Sequence, residues 1–211
     1  MAREAGRQSS VFRAAPTGIA AFNIVRRTLR ALLQLPLKGQ KANMSIATLQ
    51  SLQALFRVCR FLIIDKKSMI GIQTLLLIDD QLRAILPANS NLPFGGVDVL
   101  LCGDFFQLPP VGLRPLYTLS HTHVDAIKGH QFYGEFHHTV RLVQVIRQQG
   151  EDDISVRFRQ ALSELRTSQL SEESWRLLCN RVGNELSPEE VAAFDSTLRL
   201  YYTTEEAQIN L

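Results

Sequence analysis

No stretch of the 211 residues approaches the roughly 20 consecutive apolar residues that a membrane-spanning helix needs, so no membrane partner is expected. Cysteine is scarce. Cys59, Cys102 and Cys179 lie far apart and form no CxxC pair, which argues against a disulfide framework and for small buried residues in a reducing compartment. The five histidines include His121/His123 and His137/His138, but no HExxH spacing and no cysteine beside them, so a zinc site is not expected. None of the 12 glycines is followed by lysine, so the sequence holds no GxxxxGK[ST] loop to cradle a triphosphate. No nucleophile–base pair supports a small-molecule α/β enzyme, and no internal repeat or low-complexity segment is visible. Acid is nearly missing from the first third, where Glu4 is the only Asp or Glu before Asp65. The start, MAREAGRQSS, has no apolar h-region of a secretory signal. Its Arg and Ser content is compatible with a mitochondrial presequence as well as with untargeted sequence.

The composition, 45% hydrophobic and 20% charged, is that of a globular protein. The net charge of +3 conceals two opposed halves. Residues 1–67 carry 12 Lys/Arg against 2 Asp/Glu, and residues 68–211 carry 11 against 18. A basic block of this kind suits a polyanion partner, although a solvated surface would look the same.

Apolar runs at Val11–Ala15, Phe61–Asp65, Val97–Cys102 and Val140–Val145 read as strands, with a further one at Leu198–Tyr202. Between them, Ile19–Ile24, Thr28–Leu33, a segment capped by Ser45 and ending near Cys59, and a segment through Ile78, Leu82 and Ile85 read as helices. Pro93–Gly96 reads as a turn and 112–139 as a polar, Gly- and His-containing stretch. Helices are expected over Ile154–Leu165, Glu172–Val182 and Ser187–Phe194. Continuous rather than alternating apolar strands, separated by helices, predict an α/β fold with a parallel β-sheet and helices on both faces. Working residues in such sheets gather at the carboxyl ends of the strands. The strands end at Thr17, Asp65, Asp104 and Arg147. Taken singly, Asp65 reads equally as a cap, Asp104 as a turn residue, Gln107 as a partner for nearby backbone and Arg147 as a surface charge.

Taken together and in order, APTGIAAF (15–22), FLIIDKKSMI (61–70), LPFGGVDVLLCGDFFQLPPVG (92–112) and LVQVIRQQG (142–150) resemble the Pif-one-like ATP-dependent DNA helicases of superfamily one. The flavour is closest to the helicases carried by Helitron transposons. The resemblance runs from about Val11 to the C-terminus and implies a RecA-like sheet, a partial P-loop NTPase fold. Residues 1–150 would form a partial first RecA-like domain without its P-loop, and 151–211 a helical linker and the start of a second. It implies ATP hydrolysis coupled to DNA unwinding, in repair, recombination and telomere maintenance, with ATP and Mg²⁺ as cofactors, single-stranded DNA as partner and the nucleus or mitochondrion as location.

Carried over residue by residue, the resemblance implies that Thr17 meets the DNA backbone, with Arg26, Arg27 and Arg30 in the same basic stretch. Asp65 would hold Mg²⁺ through water. Gln107 would sense the γ-phosphate, and Arg147 would stabilise the transferring phosphate. Lys66 stands where the family has the glutamate that activates water, and a protonated lysine cannot accept that proton and repels a cation held at Asp65. Val25 and Arg26 stand where the family tends to have glycines, and Arg30 where it tends to have histidine. Two readings follow: an ATP-dependent DNA helicase represented in part, or a non-catalytic, transposon-derived remnant that binds DNA. In either, the ammonium of Lys66 reaches back to neutralise Asp65 or Asp104, or points into solvent.

Overall fold

A computed structural model describes residues 9–24, 27–36, 44–119, 124–180, 186–194, 197 and 201–209. The chain divides into two compact units, Met1–Val140 and Arg141–Leu211.

In the first unit four strands form one parallel sheet. They are β1 (Val11–Ala15), β2 (Arg27–Thr28), β3 (Phe61–Ile64) and β4 (Asp98–Leu101), in the order β2-β1-β3-β4. The register sets Ala14 beside Ile64, and Ile64 beside Leu101. All carboxyl ends therefore lie along one edge. Helices α1 (Gly18–Asn23), α2 (Leu29–Leu33), α3 (Ile46–Phe56), α4 (Ile72–Ile85) and α5 (Val124–Gly134) complete the unit.

The alternation of side chains along each strand gives the sheet two unlike faces. Ala14, Leu62 and Ile64 point into the main core with Phe12, Val99 and Leu101 at its margin. Leu32 and Leu33 of α2, Phe56 of α3 and a stripe along α4 close over them. The stripe runs Ile72, Leu75, Ile78, Leu82, Ile85, a helical period that turns one face of α4 wholly inward. Phe12 meets Phe56 edge-on, ring centroids 5.1 Å apart. On the opposite face α1 packs by small residues, Ala20 and Ala21 against Ala15.

Element ends follow local chemistry. Ser45 caps α3 by accepting a hydrogen bond from Thr48 N at 3.1 Å, as its place before the leucine stripe predicts. Asp79, in the middle of α4, is buried and accepts from Phe94 N at 2.6 Å and from Arg83 Nε at 2.7 Å. It thereby holds the 3-10 turn Pro93–Gly96, in which Phe94 takes a left-handed φ of 53°.

Helix α5 lies in 112–139, the stretch read as polar and Gly- and His-containing, where no helix was expected. Its Gly129 sits against α4, where a Cβ would fall 2.5 Å from Ile72 O, so this glycine marks a close helix crossing rather than a loop. The expected strand Val140–Val145 is not formed. The segment is coil, with Val140 86% and Leu142 91% exposed. A strand exists only with a ladder partner, and none of the described residues pairs with this run. The apolar content was correctly read; the neighbour that would make it a strand is not there among the described residues.

The second unit holds α6 (Asp153–Arg166), α7 (Glu172–Cys179), α8 (Pro188–Ala192) and α9 (Thr204–Ile209). Asp152, Ser171 and Ser187 cap α6, α7 and α8, and Ser187 forms a capping box with Glu190. Of the expected strand Leu198–Tyr202, residues 198–200 lie outside the described residues, and Tyr201 and Tyr202 are in no strand. No helix among the described residues is long and apolar enough to cross a membrane.

Candidate functional site

The carboxyl edge of the sheet gathers most of the residues singled out in the sequence. After β1 the chain turns at Pro16, and Thr17 caps α1, its Oγ1 accepting from Ala20 N at 3.3 Å. Beside it, β2 runs parallel to the end of β1, with Ala14 opposite Arg27 and Ala15 opposite Thr28. Thr28 caps α2 in the same manner. Arg27 and Arg30 are exposed, and Arg30 Nη1 donates to Pro36 O at 2.6 Å. Arg26 and Val25 lie outside the described residues.

The end of β3 is tied to its neighbours on both sides. Asp65 N donates to Ala14 O at 2.9 Å, and Lys67 N donates to Cys102 O at 2.8 Å. Cys102 N returns a bond to Ile64 O at 2.8 Å. Between these anchors Lys66 takes a left-handed backbone, φ 61° and ψ 49°, unusual for a residue with a Cβ. Gly103, φ 134°, lies so close that a Cβ on it would meet Lys67 N at 2.8 Å. The two loops leaving β3 and β4 are thus in backbone contact, and Gly103 is what permits it.

Asp104 opens the next turn. Its Oδ1 accepts from Phe106 N at 3.1 Å and its carbonyl accepts from Gln107 N at 3.1 Å. Gln107 is exposed at the tip. Lys67 Nζ stands 4.5 Å from the centroid of the Phe105 ring, and Phe105 in turn packs edge-on against Tyr117 at 5.3 Å. Lys67 and Phe105 therefore clamp the Asp65 loop to the Gln107 loop, a pair that sequence reasoning missed. The visible signal was an aromatic and a lysine placed just past two neighbouring strand ends. Lys66, by contrast, makes no ion pair with Asp65 among the described residues.

Arg147 belongs to the second unit. With no strand at Val140–Val145 it ends no strand; it is exposed coil. The sequence assigned its role both through that expected strand and through the family resemblance, and the strand is not formed.

Contrary to expectation, none of the three cysteines is fully buried: Cys102 is exposed, and Cys59 and Cys179 are half-buried. Burial pushes Cys59 up to about 12. Burial also raises Cys102, helped by the charge of Asp65 and opposed by that of Lys67. A Mg²⁺–nucleotide does not fit the residues present. Mg²⁺ is held by carboxylates together with phosphate oxygens. Here Asp65, half-buried, is followed at once by two lysines, and Asp104, the other half-buried carboxylate of this edge, accepts from Phe106 N within its own turn. Among the described residues no three His, Cys, Asp or Glu could hold a metal together. Ser68 Oγ, buried just past Asp65, is left without a partner, but a lone hydroxyl does not replace a phosphate cradle.

This edge, three parallel strand ends bearing Thr17, Asp65 and Asp104, defines a RecA-like α/β core, and comparison with known proteins says which. Residues 2–176 match the family model described as PIF1-like helicase, and the chain belongs to that family. It is 31% identical over 192 residues to the ATP-dependent DNA helicase PIF5 of Trypanosoma brucei brucei, covering 81% of this chain and 20% of the relative. It is 29% identical over 174 residues to the ATP-dependent DNA helicase PIF1 of Candida albicans, covering 78% of this chain and 18% of that protein. The crystal structure of Pif1 helicase from Candida albicans superposes with a TM-score of 0.69 at 27% identity, over 94% of this chain and 42% of that one. Pif1 helicase from Bacteroides in complex with ADP-AlF3 and ssDNA matches with a TM-score of 0.59 at 25% identity, over 91% of this chain and 49% of the other. The chain thus spans about a fifth of the curated relatives and under half of these solved chains.

Proposed function

We propose that these 211 residues are the DNA-facing part of a helicase motor that holds single-stranded DNA without turning over nucleotide. The observation that carries this is the carboxyl edge itself. Thr17 and the exposed Arg27 stand at the β1–β2 end of it, and Asp65 is followed by Lys66 where a water-activating carboxylate belongs. Thr17, Arg26, Arg27 and Arg30 take the DNA backbone; an arginine fork matches phosphate oxygens with paired donors. Asp65, Gln107 and Arg147 keep the residue types that a whole motor uses for Mg²⁺, the γ-phosphate and the transferring phosphate. Residues 1–150 act as a partial first RecA-like domain and 151–211 as the helical link toward a second. The chain's relatives include ATP-dependent DNA helicases, which supports ATP-driven unwinding as the activity of the whole motor, with the nucleus or mitochondrion as its proposed location. Lys66 favours the second reading within that family, a non-catalytic member reduced to DNA binding.

Fluorescence anisotropy with a labelled single strand tests the binding. The expected Kd is in the non-specific range, roughly 10⁻⁴ to 10⁻⁶ M, weakening steeply as salt rises. Replacing Arg26, Arg27 and Arg30 together with alanine flattens the salt slope. Binding indifferent to salt, or to the triple substitution, contradicts the reading.

A further inference from the structure

Helix α1 is built inside out. Its small residues, Ala20 and Ala21, are buried against Ala15, while its large ones, Ile19 and Phe22, are 77% and 81% exposed. Ile19 and Phe22 are three residues apart, so they share one face of the helix and form a contiguous apolar surface. A helix that only covered a sheet would turn these two inward, where burying each is worth about 1.5–3 kcal/mol. A planar ring held in water beside an isoleucine, on a helix anchored by alanines, presents a stacking surface at no cost to the core.

We propose that Ile19 and Phe22 are the base-stacking platform of the single-strand site, the part of it that takes bases rather than phosphates. The proposal rests on the DNA-binding reading above. Its surroundings specify the occupant by charge. Thr17 precedes α1, and the chain leaves α1 directly for β2, where Arg27 is exposed beside the end of β1. Extended chain from Phe22 to Arg27 spans at most about 18 Å, so platform and cation lie within reach of one short strand. The sequence that carries this apolar face is basic, residues 1–67 holding 12 Lys/Arg against 2 Asp/Glu, and Arg27 and Arg30 are exposed just after the helix. An apolar partner protein would gain nothing from that charge, whereas a single strand uses both halves: bases stack on the ring and phosphates meet the arginines.

The test compares the full 211-residue protein with Phe22→Ala and with Arg27→Ala/Arg30→Ala, titrating fluorescein-labelled oligo(dT) and a duplex across a salt series. Phe22→Ala is expected to lose single-strand affinity by about 5- to 100-fold with its salt slope unchanged. Its duplex binding stays as it was, because paired bases are not free to stack. The arginine pair is expected to lower the slope for both ligands. Phe22 is exposed, so its melting temperature is retained. A second variant, Trp175→Phe/Phe22→Trp, leaves one tryptophan on the platform, and its emission is expected to quench on adding oligo(dT). A parent protein that binds no DNA overturns the DNA-binding reading and the platform with it. A parent that binds while Phe22→Ala binds equally well overturns the platform alone. So does self-association that Phe22→Ala abolishes without changing DNA affinity, which would make this face a protein contact.

Discussion

Asp79 is the only charged side chain fully buried among the described residues, at 1% exposure. It is held by Arg83 and by the amide of Phe94, and it supports the left-handed backbone at Phe94. Asp79→Ala strands both donors. The expected cost is about 3 kcal/mol, a fall of roughly 10 °C in Tm for a unit of this size. Asp79→Asn, which still accepts from Phe94 N, recovers part of the loss. Calorimetric melting of the three proteins checks this, and an unchanged Tm for Asp79→Ala counts against it. The residue scale also shows what sequence reasoning could and could not reach. Thr17, Asp65 and Asp104 were legible because each follows an apolar run, and runs that pair in parallel place their ends together. Neither the left-handed Lys66 nor the Lys67–Phe105 contact was legible, because both depend on how two loops meet.

At the scale of elements, the strand Val11–Ala15 and the helix after Ser45 were readable from local punctuation, Pro16 and Gly18 in one case and a cap in the other. Helix α5 was not, since its Gly129 signals a turn locally and a close crossing only in three dimensions. The run Val140–Val145 failed the other way, with strand composition but no partner strand. In the second unit the α6–α7 turn is held by Glu164. Its carboxylate accepts from Ser171 N at 2.9 Å, Ser171 Oγ at 2.8 Å and Gln160 Nε2 at 2.9 Å. These bonds, the Ser171 amide foremost, hold it down at about 2 against an ordinary 4.5. A depressed carboxylate stabilises the fold fully above its unfolded value, and the contribution is lost as pH falls toward the folded one. Trp175, the single tryptophan, sits in α7 and reports on this unit. Its emission is expected to shift as pH falls from about 4.5 to 2. Glu164→Gln shrinks that step, with Asp152, also lowered by its bonds to Ser155, still contributing. An identical pH profile for the variant would show that Glu164 does not hold the turn.

For the whole molecule, the parallel sheet places a family-typical edge on 211 residues that include no Gly-Lys pair and have Lys66, not a second carboxylate, directly after Asp65. Phosphoryl transfer depends on positioning a metal, a nucleophile and compensating positive charge around the phosphate. On the proposed reading these 211 residues keep basic side chains toward DNA and do not by themselves turn over nucleotide. The most direct measurement is phosphate release from ATP by the purified 211-residue protein, with and without single-stranded DNA, for the parent and for Lys66→Glu. The account predicts no DNA-stimulated release above background in either, because restoring one carboxylate does not restore a cradle. DNA-stimulated turnover in the parent that Asp65→Ala abolishes would contradict it.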